Sequence, residues 1–412
     1  MTKFFISIAI IIILIIYNII SSKKNVYKSY LYKKINKLKI LSYLTSIVTF
    51  IIFLIINLIS VGTNPSTQEI LTSIINALSI SLLTIPISIN SLYHKNFNEE
   101  EKYTHIKTIV TNKYNKEIFD KLNKADINVI LLSDKKTNLT KITEENITSN
   151  ILKKTIQIDT SNLKILDKKI NKENTIKEFK DISDLYIKIE NARNIHDNYI
   201  KGIKHAMFTY IPIILSYILL LLVGFPVKYD ILLISILKLY TTIKVNYLYK
   251  TLPYEEDIMT RTVKPSNIIF GKQELLLLIM EIFIIAFGLT VPYMYVLASG
   301  GSITLAYTIF LVTFIITNTL HTYYELSDSS FLKNIFKYLK HIKIHLFTLI
   351  SIVMILIFNY TKFFNTMNIT LHNNIGALII SLFILFVLEM PKLARFTSKK
   401  GKKKHATKNN KK

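Results

Sequence analysis

A lysine in the middle of an apolar run is the first residue in this sequence with chemistry to offer. Lys238 lies about halfway along Ile231–Leu248, roughly 12 Å from one end at 1.5 Å per residue. An ammonium at the centre of a membrane helix costs roughly 2.5–3.5 kcal/mol, so it should face the interior of a bundle. Thr241 and Thr242 follow within one turn and share part of its face. Tyr210 in the preceding run offers a phenol, and Glu281 in the following run sits at a compatible depth to bring a carboxylate. Two readings stand: a polar site on a transport path, or a buried structural ion pair between Lys238 and Glu281. Lys244, nearer the end of the run, is expected to snorkel to the surface. Pro86 and Pro212 are expected to break two further runs, freeing carbonyls for a gate or coordination site, or simply kinking the helices. His341 and His345 stand one turn apart, but no third ligand is indicated; they are read as interfacial histidines, and neither a metal site nor a cofactor is expected. The chain has no cysteine, which excludes disulfides, thiolate metal sites and cysteine nucleophiles.

The elements that must position these groups are membrane helices. Half of the 412 residues are hydrophobic, and 52 Lys+Arg stand against 27 Asp+Glu. The basic residues sit as plugs between long apolar runs, which is a membrane pattern and not that of a nucleic-acid binder. Nine runs are long enough to be read as spans: Phe4–Ile20, Ile40–Ile59, Ile74–Leu92, Ala206–Val223, Ile231–Leu248, Leu275–Leu297, Ile303–Leu320, His345–Phe358 and Ile375–Leu388. The first precedes Ser21–Lys39, a stretch with seven lysines and no small-residue cleavage site, and is read as an uncleaved anchor. The basic stretches Ser21–Lys39, His94–Lys204, Lys250–Lys272, Thr322–Lys343 and Pro391–Lys412 all fall on one side if the spans alternate. The positive-inside bias makes that side cytoplasmic, together with the C-terminus, in a multi-pass protein of the cell membrane. Within the polar stretch, Glu117–Lys124 has the helical spacing of Ile118 and Leu122, and Ile127–Leu132 reads as a strand running into Ser133-Asp134. An Asp beyond a strand's carboxyl end is where α/β proteins bind phosphates and metal ions. The fold class expected is an all-α polytopic bundle with a small cytoplasmic insertion that could be α/β. Its parts are an anchor and basic linker at 1–39, a hairpin at 40–94, a polar region at 95–200, a six-helix domain at 201–395 and a basic tail at 396–412.

The order of several short stretches resembles a known family. Ala192-Arg-Asn-Ile-His-Asp-Asn198 enters a span, Gly224-Phe-Pro226 follows it, and Leu252-Pro-Tyr-Glu-Glu-Asp-Ile-Met-Thr-Arg261 follows the next. This is similar to the membrane half of P-type cation ATPases of the calcium/magnesium/sodium-pump type. In that family an Arg-Ile-x-x-Asn stretch enters the fifth helix, a Gly-Leu-Pro turn joins helices five and six, and Pro-Pro-x-x-Asp-Ile-Met-x-Arg comes next. Ala306–Phe331 resembles the family's eighth helix and its exit, Ile379–Arg395 the end of the tenth, and Ile40–His94 helices three and four.

The departures bear on function. The family's phosphorylated Asp-Lys-Thr-Gly-Thr motif is echoed only by Ser133-Asp-Lys-Lys-Thr-Asn-Leu-Thr140, which could equally echo the family's Thr-Gly-Asp stretch. The Gly-Asp-Gly-x-Asn-Asp magnesium motif is absent, and the polar stretch leaves no room for a nucleotide domain of the usual size. Where the resemblance implies a Pro-Glu in the fourth helix, this chain has Pro86-Ile87; the helix-five Asn and Glu are matched by Tyr210 and Ile213; the helix-six Asn, Thr and Asp by Lys238, Thr241 and Thr242. Divalent cations need several carboxylate or carbonyl oxygens, and an ammonium there would repel them. The expectation is a truncated, degenerate and catalytically inactive relative of these pumps, accessory or regulatory in ion transport, with Asp134 a remnant. The alternatives are a transporter or a transporter subunit working with a separate catalytic chain, and a structural membrane protein. Expected partners are membrane lipids, anionic ones through the tail, and a membrane protein, but not nucleic acid.

Overall fold

The computed structural model describes residues 2–23, 30–61, 66–81, 84–92, 103–104, 108–111, 115–125, 127–131, 155–158, 182–227, 230–252, 255, 257–260, 270–326, 341–360, 366 and 369–409. Asp134 lies outside them. Helix α1 (Thr2–Lys23) is followed by α2 (Tyr30–Val61), which packs against α3 (Thr67–Ile80). Ser66 and Glu69 form a reciprocal cap at the start of α3: the Ser66 hydroxyl accepts from Glu69 N at 3.3 Å and the Glu69 carboxylate from Ser66 N at 2.8 Å. Helix α3 ends at Ile80, and α4 runs from Thr84 to Leu92. The interruption expected at Pro86 therefore falls before it. Pro86 sits in the first turn of α4, where its missing N–H has no intrahelical partner to lose.

The polar region holds three short parallel strands, β1 (Thr108–Thr111), β2 (Asn128–Leu131) and β3 (Thr155–Ile158), in the order β2-β1-β3. Helix α5 (Lys116–Lys124) lies between β1 and β2 and buries Phe119 and Leu122. These side chains join Ile109, Ile127 and Val129 in a second apolar core, to which Ile182, Leu185, Ile189 and Ala192 contribute from the next helix.

That helix, α6 (Ile182–Leu222), is 41 residues long and continues through Pro212. The break expected at Pro212 does not interrupt the helix: the missing donor costs one bond, in a turn whose residues Thr209, Tyr210, Pro212 and Ile213 are buried. The Ser216 hydroxyl lies 2.7 Å from the Pro212 carbonyl and 3.0 Å from that of Ala286 on a neighbouring helix. Gly224, at φ 81°, turns the chain where a side chain would be strained. Asp230 then caps α7 (Ile231–Leu248), accepting from the backbone N–H groups of Leu232 and Leu233 at 2.9 and 3.1 Å. A single 3₁₀ turn, Tyr249–Thr251, ends it. The remaining helices are α8 (Lys272–Ala298), α9 (Ile303–Glu325), α10 (Ile342–Tyr360) and α11 (Leu371–Asn409).

Among the described residues six helices are long and apolar enough to cross a membrane, and α1 adds a shorter apolar stretch, Phe5–Ile20. The molecule is an all-α multi-pass membrane bundle. Helices α6 and α9 are its interior, with 61% and 67% of their apolar stretches buried, against 22% for α2 and α11. Ile47, Ile51 and Ile55 on α2 and Phe383 and Phe386 on α11 point outward, as lipid-facing side chains do. Around α6 stand α4 and α8; α9 packs between α8, α10 and α11; α7 lies against α1, α3 and α4. Polar side chains on α6, α7 and α9 are thus the ones forced to find partners inside.

Candidate functional site

Lys238 is 4% exposed. Its ammonium donates to the carbonyl of Ser81 at 2.7 Å and to that of Leu78 at 3.4 Å. The origin of these acceptors is the end of α3. A helix that stops leaves its last carbonyls without N–H partners, and α3 stops at Ile80 with Ser81 extended at φ −54°, ψ 153°. The Ser81 hydroxyl also donates to Leu78 O at 2.8 Å, so the site is lined by main-chain oxygen. Tyr210 and Thr242 do come to this position, but they bind the lysine's own carbonyl, at 3.1 and 2.9 Å, and not its ammonium. Thr241 is buried beside them.

Glu281 does not join this group. Its carboxylate accepts from the Tyr324 hydroxyl at 2.6 Å and borders a cavity of about 90 Å³ with Lys201, Lys204, Glu325 and Lys392. The expected Lys238–Glu281 pair is replaced by a lysine on main-chain oxygens. The physical reason is that a broken helix supplies oriented dipoles next to α7, so no carboxylate is needed there. The expectation for Lys244 is also corrected. It is 1% exposed, and instead of snorkelling it donates to the Asn318 side-chain oxygen at 3.0 Å and to the Asn318 carbonyl at 3.4 Å. The Asn318 amide donates to Thr209 Oγ1 at 2.7 Å, and that hydroxyl in turn donates to the carbonyl of His205 at 2.8 Å.

This network leads to residues that sequence reasoning missed. His205 Nδ1 lies 2.9 Å from Glu325 Oε2, and the Tyr249 hydroxyl donates to the same oxygen at 2.7 Å. His321 stands one turn before Glu325 on α9, its Nδ1 3.8 Å from that oxygen. The i,i+4 spacing of His321 and Glu325 was a usable signal; their meeting with His205 on α6 was not. His341 and His345 are joined at the backbone in the first turn of α10, and belong to no three-residue ligand group among the described residues.

Two of the stretches that carried the resemblance, Ala192–Asn198 and Leu252–Arg261, meet at the polar end of α6. Arg193 donates to the Met259 carbonyl at 2.9 Å and to that of Ala125 at 3.3 Å, Asn198 to that of Leu252 at 2.8 Å, and Lys201 pairs with Glu255 and, at 2.7 Å, with Asp197. They clamp the segment after α7 onto α6. Residues 231–394 match the family described as Cation transporting ATPase, C-terminus. The stretch from α7 into α11 is therefore similar to the C-terminal membrane domain of cation-transporting ATPases. No curated protein matches the chain.

Chemically, the Lys238 site does with an ammonium what a bound cation does with its charge: it neutralises inward-facing carbonyl dipoles. A divalent cation would need more oxygens than the break offers and would meet a positive charge.

Proposed function

We propose that this chain is a catalytically inactive P-type cation ATPase-like membrane protein, accessory or regulatory in ion transport, whose cargo position is filled by its own lysine. The observation that carries the reading is the donation from Lys238 to Ser81 O and Leu78 O at the α3–α4 break. Lys238, Thr241, Thr242 and Tyr210 stand at the positions that the resemblance assigns to the family's cation ligands, and none contributes a carboxylate. The match over 231–394 supports the membrane half of the reading, and the clamp at Arg193 and Asn198 extends it upstream. In the same reading nine spans cross the membrane, with α1, the α3–α4 pair and α7 added to the six apolar helices. The basic loops and Lys399–Lys412 are cytoplasmic, and the tail lies on anionic lipid. The three strands and α5 are a small α/β unit too short to hold a nucleotide domain.

The test is ion binding and phosphorylation in the purified full chain. Calorimetry should show no micromolar Ca²⁺, Mg²⁺ or Mn²⁺ at this site, and labelled ATP should leave no acid-stable phosphate on Asp134. Phosphate that disappears in Asp134→Asn would end the inactive reading. Labelling of single cysteines introduced in 250–272 by an impermeant reagent in intact cells would reverse the orientation.

A further inference from the structure

We infer that His205, His321 and Glu325 form a site for a divalent first-row transition-metal ion of the zinc type, joining α6 to α9. Each of the three offers one ligand atom, and the three atoms lie within 4.8 Å of one another. All three residues are buried: His205 is 0% exposed, His321 2% and Glu325 7%. The geometry leaves a surplus of unused polar atoms. Among the buried side-chain atoms without a hydrogen-bond partner are His205 Nε2, both ring nitrogens of His321 and Glu325 Oε1. A buried polar atom without a partner is costly, and four in one cluster call for an explanation. An ion that accepts imidazole nitrogen and carboxylate oxygen together would take one atom from each residue, and so partner at most three of the four.

The donor set selects the class of ion. Two imidazoles and one carboxylate suit zinc and its neighbours, whereas Ca²⁺ and Mg²⁺ seek oxygen alone. The surroundings are those of a built site. His321 and Glu325 lie on one face of α9 at i,i+4. The Tyr249 hydroxyl orients the carboxylate from outside the triad at 2.7 Å, as partners of metal ligands commonly do. The His321 ring packs edge-on against Phe208 at 4.5 Å and lies 6.1 Å from the His205 ring, which fixes the direction of its nitrogens. The 90 Å³ cavity reaches the cluster only at Glu325, and Lys201, Lys204 and Lys392 line it beside Glu274 and Glu281. Lys244 faces the cluster within electrostatic reach of Glu325, and its ammonium is directed onto Asn318. The cluster is separate from the Lys238 site and does not depend on the inactive reading.

Three measurements on the full chain in detergent test the site. Protein purified without chelator should carry near-stoichiometric metal by inductively coupled plasma mass spectrometry. Chelator-stripped protein should develop visible ligand-field bands with Co²⁺ and melt at higher temperature on addition of Zn²⁺. His321→Gln and Glu325→Gln should each lose the cobalt bands and most of the metal, while His345→Gln keeps both. Absence of metal, cobalt bands and zinc stabilisation in the monodisperse unmutated chain overturns the proposal and leaves a metal-free hydrogen-bonded cluster. Undiminished cobalt bands in His321→Gln overturn it as well. If a variant aggregates, the measurements on the unmutated chain decide.

Discussion

Lys238 and Lys244 lie on one helix, both nearly inaccessible, and their charges are handled in different ways. Lys238 is satisfied by main-chain oxygen exposed where α3 stops. Lys244 is satisfied by a side chain, Asn318, within a network that runs through Thr209 to His205 and Glu325. The first arrangement asks only that a neighbouring helix be interrupted at the right depth. The second asks for particular residues on α6, α7 and α9, contributed from far apart in the chain. A break is therefore a general solvent for a buried cation, and a side-chain network is a specific one. The first should tolerate substitution of its neighbours, and the second should not.

The largest effect is expected in the specific network. Glu325→Leu removes the acceptor of Tyr249 and the partner of His205, and loss of one member of a buried charged group costs about 3–5 kcal/mol. Thermal or chemical denaturation in detergent should show it as a lower midpoint. Lys238→Met should cost less, roughly 1.5–3 kcal/mol, the range for a hydrogen bond to a charged group, because water or a small rearrangement at the break can reach the two carbonyls. A double substitution with Glu281→Gln sharpens the contrast. The two losses should add within about 0.5 kcal/mol, since the residues share no partner; recovery of stability in the double variant would reinstate a direct Lys238–Glu281 pair. Tyr210→Phe should be mildest, about 0.5–1.5 kcal/mol, because Thr242 still donates to the Lys238 carbonyl. A loss as large as that of Glu325→Leu would show that the break depends on its neighbours after all.

Much of the scaffold was written in the sequence. The run Ile231–Leu248 is α7 to the residue, and the spacing of Ile118 and Leu122 marked the helix at Lys116–Lys124. Helix α6 was legible only in its apolar half. Its first turns read as polar because Ile182, Leu185, Ile189 and Ala192 make a narrow stripe, buried against the strands and not in lipid. The site was less legible for a more basic reason. The acceptors of Lys238 are carbonyls, which every residue carries, so nothing in the side chains at 78 and 81 announces them. Pro86 signalled that a break was near but not on which side of it the helix would stop. The His205–Glu325 contact joins residues 120 positions apart, and periodicity within one helix carries no record of what faces it.

The clamp between α6 and the segment after α7 also has a mechanical side. Arg193 holds both Ala125 of the insertion and Met259, while Tyr210, on the same unbroken helix, touches the Lys238 carbonyl. The distance between these two points is about 25 Å at 1.5 Å per residue. Because α6 is one helix from Arg193 to Tyr210, it would act as a lever with one arm in the polar insertion and the other in the bundle. A rocking of the insertion by a few degrees would be delivered as a displacement of Tyr210 beside α7, and a shift of α7 would be returned to the strands by the same arm.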